Sequence, residues 1–197
     1  MVLDLGDVLI RWRPEEAVAA GMGAEEAARF LAAEDLDFRA YNHQQDLGRS
    51  FAEAEAELLR THPQWHPHAV AYRENFARSL SEIPDNVAVV RDLHAAGVPL
   101  FGLTNWSAEL FPVALRTFDF LGLFEDIVVS GAERVGKPDP AVFALLGERV
   151  GRPLSECVFV DDVETHVEAA RAAGLDAFRF TPDSSLRSAL RDRGLPV

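Results

Sequence analysis

The stretch Val2-Leu3-Asp4-Leu5-Gly6-Asp7-Val8-Leu9-Ile10 decides how this chain is read. Its start is apolar in the way of a strand covered on both faces, so a buried strand runs to about Leu5 and Gly6 breaks it. Four further strand-like runs follow: Pro99-Leu100-Phe101-Gly102-Leu103, Ile127-Val128-Val129, Cys157-Val158-Phe159-Val160 and Ala177-Phe178-Arg179-Phe180. Helical patterns separate them. Val87, Val90 and Leu93 recur at helical spacing and stop at Gly97; Asp139-Pro140 opens a helix carrying Val142, Leu145 and Leu146 that ends near Gly151; residues 164–173 are closed by Gly174. Alternating strands and helices predict an α/β fold, a Rossmann-like parallel sheet with right-handed crossovers and helices on both faces.

Between the first strand and Pro84 the chain shows no strand pattern and is rich in Ala, Glu, Arg and scattered aromatics. Residues 12–83 therefore read as a helical cap, with Pro63 and Pro67 at turns between helices, inserted into a core formed by 1–11 and 84–197. Ligands of open α/β sheets sit at the carboxyl ends of the strands, so an insertion leaving after the first strand hangs over that edge as a lid on a small ligand.

Composition narrows the partners. In 197 residues, 19 Lys+Arg face 32 Asp+Glu, and a net charge of -13 repels a nucleic-acid backbone. The uncharged stretch 97–108 falls well short of the ~20 apolar residues of a membrane helix, so no membrane association is expected. Cys157 is the sole cysteine. With no secretory pattern at Met1-Val2-Leu3-Asp4, the expected location is the reducing cytoplasm, as monomer or homodimer.

Chemistry gathers at the strand ends. Asp4 closes the first, Thr104-Asn105 the second, Gly136-Lys137-Pro138 follows the third, and Asp161-Asp162 closes the fourth. A carboxylate nucleophile, a hydroxyl, a lysine and an acidic pair together suit phosphoryl transfer: carboxylates hold a hard divalent cation, while hydroxyl and ammonium meet phosphoryl oxygens. Singly, each has a plainer reading as a helix cap, turn or solvated loop residue.

On Val2-Leu3-Asp4-Leu5-Gly6-Asp7-Val8-Leu9-Ile10, Leu103-Thr104-Asn105-Trp106-Ser107, Gly136-Lys137-Pro138-Asp139-Pro140 and Phe159-Val160-Asp161-Asp162, the chain resembles the haloacid dehalogenase-like (HAD) superfamily. The likeness is to its phosphatase-like, capped branch and covers essentially the whole chain. It implies that Asp4 attacks phosphorus to form an aspartyl-phosphate and that Thr104 and Lys137 bind the phosphoryl oxygens. Mg²⁺ is then held by Asp4, the Gly6 carbonyl and Asp162, with Asp161 helping directly or from behind. Asn105 resembles a phosphate-site residue through its amide, and the substrate implied is a small phosphate ester, such as a sugar phosphate.

Two positions depart from that pattern. Most phosphatases of the superfamily place a second Asp two residues after the nucleophile as acid and base; here Gly6 stands there. Asp7 is the nearest substitute, or else a turn residue facing away, and His43 is the lid residue to examine if neither serves. His166 stands four residues after Asp162, where relatives carry Asp or Asn; it can accept a hydrogen bond there or lie partly exposed in a first helical turn. In the lid and its exits, Trp12 and Trp106 lie close to strand-end loops and are expected to touch substrate. A 2-haloacid dehalogenase, using the same Asp on carbon without metal, remains an alternative, although adjacent Asp161 and Asp162 would repel its carboxylate substrate. A phosphoryl-accepting receiver would put the acidic pair on the first strand, and a non-catalytic phosphate-binding module stays open because of Gly6.

Overall fold

The computed structural model describes residues 1–197. Its strands are β1 (Val2–Leu3), β2 (Ile10–Trp12), β3 (Leu80–Glu82), β4 (Phe101–Thr104), β5 (Asp126–Val129), β6 (Val158–Asp161) and β7 (Asp176–Arg179). Five of these form one parallel sheet in the order β5-β4-β1-β6-β7. β1 is central, with Val2 opposite Phe101 on one side and Phe159 on the other. Neighbouring residues of β1 leave on opposite faces, Val2 into an apolar cluster with Phe143 and Val167 and Leu3 into one with Val90 and Leu93. Burial on both faces is what makes such a strand an unbroken apolar run.

Five helices build the cap: α1 (Pro14–Met22), α2 (Ala24–Leu31), α3 (Phe38–Asp46), α4 (Phe51–Thr61) and α5 (His66–Glu74). Asp37 caps α3 through the Ala40 N–H, and Ser50 with Glu53 forms a capping box on α4. The core adds α6 (Pro84–Ala95), α7 (Phe111–Thr117), α8 (Ser130–Glu133), α9 (Pro140–Val150), α10 (Glu164–Ala172) and α11 (Leu186–Arg191). Apolar residues of α9 and α10 cover one face of the sheet; those of α6, α7 and α11 cover the other, in a cluster continuous with the cap. An aromatic series crosses from cap to core, Phe38 to Tyr72 to Phe76 to Trp106 to Phe111, with centroids 5.1 to 5.9 Å apart. None of these helices is long and apolar enough to cross a membrane.

The expectation of no strand between the first strand and Pro84 needs correction. β2 and β3 pair antiparallel, Ile10 against Glu82 and Trp12 against Leu80, in a separate two-stranded ribbon where the chain leaves and rejoins the core. Three-residue strands with one buried residue each are too short for period-two alternation to register. The first strand also stops at Leu3, because Leu5 accepts the N–H groups of Leu9 and Ile10 and the chain turns there. Pro67 lies in the first turn of α5 and not between helices; proline is well suited to that position because no intrahelical partner is lost.

Candidate active site

Asp4, Thr104, Lys137 and Asp162 line one cavity of about 220 Å³ beneath the cap, at the carboxyl ends of the strands. That volume is below the ~300–1,000 Å³ usual for drug-sized ligands and suits a small one. Gly6, Asp7, Trp12, Asn105, Trp106 and His166 share the lining.

At its floor, the Lys137 ammonium is buried between Asp4 (2.9 Å) and Asp161 (2.6 Å). The second contact of that same Asp4 oxygen is the Leu5 N–H at 2.8 Å. Asp161 is satisfied on both oxygens: one takes the Val163 N–H at 2.8 Å and faces His166 Nδ1 at 3.1 Å, the other takes Lys137. Asn105 holds the lysine from the opposite side. Its side chain accepts the Lys137 backbone N–H at 2.9 Å and donates to the Lys137 carbonyl at 2.8 Å. The amide expected to meet phosphate thus also fixes the lysine loop.

Electrostatics separate the carboxyls. Burial pushes Asp4 above its usual range, Lys137 opposing and Asp161 adding to the rise. In Asp161 the same burial is outweighed by Lys137 and His166, which hold it below that range. Burial also works against the charge of Lys137, but Asp4 and Asp161 together leave its ammonium above the ordinary value. Asp162 is raised by burial and then by Asp161 and Asp7. Oxygens of Asp4, Asp161 and Asp162 lie within 4.8 Å of one another. Negative charge thus exceeds the one lysine available, and oxygen-only donors in this density fit a hard divalent cation. The Gly6 carbonyl already accepts the Val8 N–H at 2.7 Å and keeps a second lone pair.

Asp7 adopts a left-handed φ of 48°, and its carboxylate accepts the Trp12 N–H at 3.3 Å, which is the turn role weighed against the catalytic one. His166 is turned to Asp161 and not merely exposed. Trp106 lines the cavity and has a buried indole N–H with no protein partner. His43 is exposed and absent from the lining, contrary to expectation. Helix geometry explains it: Arg39, Asn42 and Asp46 of α3 recur at i, i+3 and i+7 and share the cavity face, while His43, one residue on from Asn42, is rotated away. Those three were missed, although their spacing carries the signal once α3 is known to dock by that face.

The haloacid dehalogenase-like hydrolase family model matches residues 1–174. The chain belongs to the haloacid dehalogenase-like hydrolases. This HAD-like hydrolase is 32% identical over 120 residues to the fructose-1-phosphate phosphatase of Escherichia coli (strain K12), covering 56% of this chain and 61% of that one. It is 26% identical over 194 residues to a phosphoglycolate phosphatase of Vibrio cholerae, covering 92% and 83%. It spans only 15% to 61% of the length of that fructose-1-phosphate phosphatase and three further curated relatives it matches. A HAD family enzyme from Bacteroides thetaiotaomicron, solved with magnesium and inorganic phosphate, superposes with a TM-score of 0.77 at 18% identity, covering 96% of this chain and 98% of that one. At that identity the likeness is one of fold.

Proposed function

We propose that this HAD-like hydrolase is a Mg²⁺-dependent phosphatase of a small phosphorylated metabolite, of the sugar-phosphate class, working through an aspartyl-phosphate on Asp4. The observation carrying this reading is the convergence of Asp4, Thr104, Lys137 and Asp162 on one capped cavity. The relatives named as fructose-1-phosphate, hexitol and phosphoglycolate phosphatases support the substrate class. Asp4, Asp162 and the Gly6 carbonyl would hold Mg²⁺. When bound, it supplies neutralisation of the carboxylates and of the phosphoryl oxygens.

The Asp4 oxygen not engaged by Lys137 attacks phosphorus, and the phosphoryl group passes to it as the leaving oxygen departs. Lys137 and the Thr104 hydroxyl bind the phosphoryl oxygens, and Asp161 holds Lys137 in place and charged. Trp106 and Trp12 meet the rest of the substrate. Water then cleaves the aspartyl-phosphate. A reducing cytoplasm agrees with the lone, buried Cys157.

The dehalogenase alternative is weaker, since a metal-free reaction leaves Asp162 beside Asp161 and Asp4 with no cation to neutralise them against a carboxylate substrate. A panel of phosphate monoesters with Mg²⁺ or with EDTA, beside 2-chloropropionate, decides between them. We expect phosphate release that EDTA stops and that Asp4→Asn reduces to background, because an amide is not a nucleophile here. Halide release indifferent to EDTA would replace this reading with the dehalogenase.

A further inference from the structure

Gly6 leaves the site without the acid and base that the reaction needs at the leaving oxygen. Asp46, the last residue of α3, lines the same cavity as Asp4 from the cap side. We propose that Asp46 is the catalytic acid and base of this enzyme, a proton donor carried on the cap in place of one beside the nucleophile; this rests on the reading of Asp4 as nucleophile.

Geometry singles it out. Of the carboxyls in the lining, Asp4 and Asp162 are committed to the floor of the site and Asp7 to the Trp12 N–H. Asp46 is held by a neutral donor, the Asn42 amide at 3.0 Å. Tyr72 in turn donates to Asn42 at 3.1 Å, fixing the amide that fixes Asp46. The Asp46 carbonyl accepts the Ser130 hydroxyl, so the residue sits where cap and core meet. Ionisable neighbours around the cavity are Arg39 and Tyr72 from the cap and Asp4, Asp7, Lys137, Asp162 and His166 from the core. α4 and α8, packed against α3, set no charged side chain against Asp46. Burial raises its carboxyl to about 7, with the Ser107 backbone and the Asn42 amide opposing. A group poised there is protonated or ionised with equal ease near neutral pH, which suits both halves of the reaction.

In the first half, an Asp4 oxygen bonds to phosphorus, the bond from phosphorus to the substrate oxygen breaks, and that oxygen takes the Asp46 proton to leave as an alcohol. In the second, Asp46 carboxylate takes a proton from water as the water oxygen bonds to phosphorus. The bond to Asp4 breaks, releasing phosphate and restoring protonated Asp46.

The test is a series of aryl and alkyl phosphate monoesters, from p-nitrophenyl phosphate to glycerol phosphate, with Mg²⁺ and across pH. Asp46→Asn keeps the size of the side chain and an accepting oxygen but has no acidic proton to give. It is expected to lose ~10²–10⁴-fold in kcat/KM on alkyl esters and under about tenfold on p-nitrophenyl phosphate. The fall of wild-type kcat/KM above about pH 7 should disappear with it. Adding Gly6→Asp to Asp46→Asn should restore alkyl ester turnover, because a Cβ at Gly6 meets nothing within 4 Å. If Asp46→Asn fails to fold, Asp46→Ser takes its place in the same series. Equal loss on every ester with the pH profile kept, or no loss, would overturn the assignment while leaving the phosphatase reading intact. A wild type that hydrolyses no monoester would overturn both.

Discussion

The Asp carboxyls of the site do different work because their surroundings differ. Asp161, satisfied by Val163, His166 and Lys137, is held ionised; Asp46, facing only neutral donors, is held near its midpoint. The signs of their contributions to stability are opposite. Asp161 has a folded value below the unfolded one, so its contribution is present above about pH 4 and fades on acidification through its folded value. Asp46 has a folded value near 7 against about 3.9 unfolded, so its contribution is full below pH 4 and is lost as pH rises through 7. Metal-free protein melted in EDTA is expected to be less stable at pH 8 than at pH 5.5. Asp46→Asn should flatten that slope by of order 1 kcal/mol, or ~2–4 °C in a chain of this size. An unchanged slope in Asp46→Asn would remove Asp46 from the titrating groups. Asp4, Thr104 and Asp161-Asp162 were legible in the sequence because they stand at strand ends, and Lys137 because the Gly136-Lys137-Pro138 run follows the third strand. Asp46 was not: on a helix, which residue meets the ligand depends on the docked face, and that face is fixed by packing partners such as Tyr72 and Ser130 far off in sequence. His43 was named instead on residue type alone.

Among elements, the loops after β4 and β5 carry the chemistry and pack backbone to backbone. A Cβ at Gly131 in α8 would lie 2.5 Å from the Ala108 nitrogen and 2.7 Å from the Trp106 oxygen. Neither is the yielding end of a side chain, so Gly131→Ala must push apart the segments that hold Thr104 and Lys137. A loss of ~1–3 kcal/mol is expected, with a melting temperature lowered by ~2–4 °C per kcal/mol. Activity should fall further than stability alone explains, because Ser130 beside it accepts the Trp106 N–H at 3.0 Å and anchors Asp46. A Gly131→Ala variant melting like wild type would show that the loops separate without cost. Parallel strands and core helices were readable from apolar runs and terminal glycines, as at Gly151 and Gly174, both with positive φ. The β2–β3 ribbon was not, since its pairing spans the whole cap and leaves no local pattern.

At the scale of the whole molecule, the chain carries a net charge of -13 and concentrates several carboxylates around one buried ammonium. A ligand that binds only the folded state stabilises by mass action, ~2.7 kcal/mol at a hundredfold excess over its Kd. Mg²⁺ is therefore expected to raise the melting temperature progressively with concentration, and Asp162→Asn to abolish most of that rise. Equal shifts from Mg²⁺ in Asp162→Asn and wild type would point to binding elsewhere. The ribbon has a wider meaning. Because the Ile83 N–H meets the Leu9 carbonyl at 2.8 Å, the two points where the chain crosses out of the core are neighbours. Whatever is threaded between them, the core sees the same closed gate, and a longer insert adds only slowly to the entropy of closing it. The cap is in this sense an exchangeable cassette: a lineage can replace the lid, and with it Asp46 and the choice of substrate, without redrawing the sheet. A new cassette would have to match the core where Phe76 meets Trp106 and where the end of α3 meets Ser130.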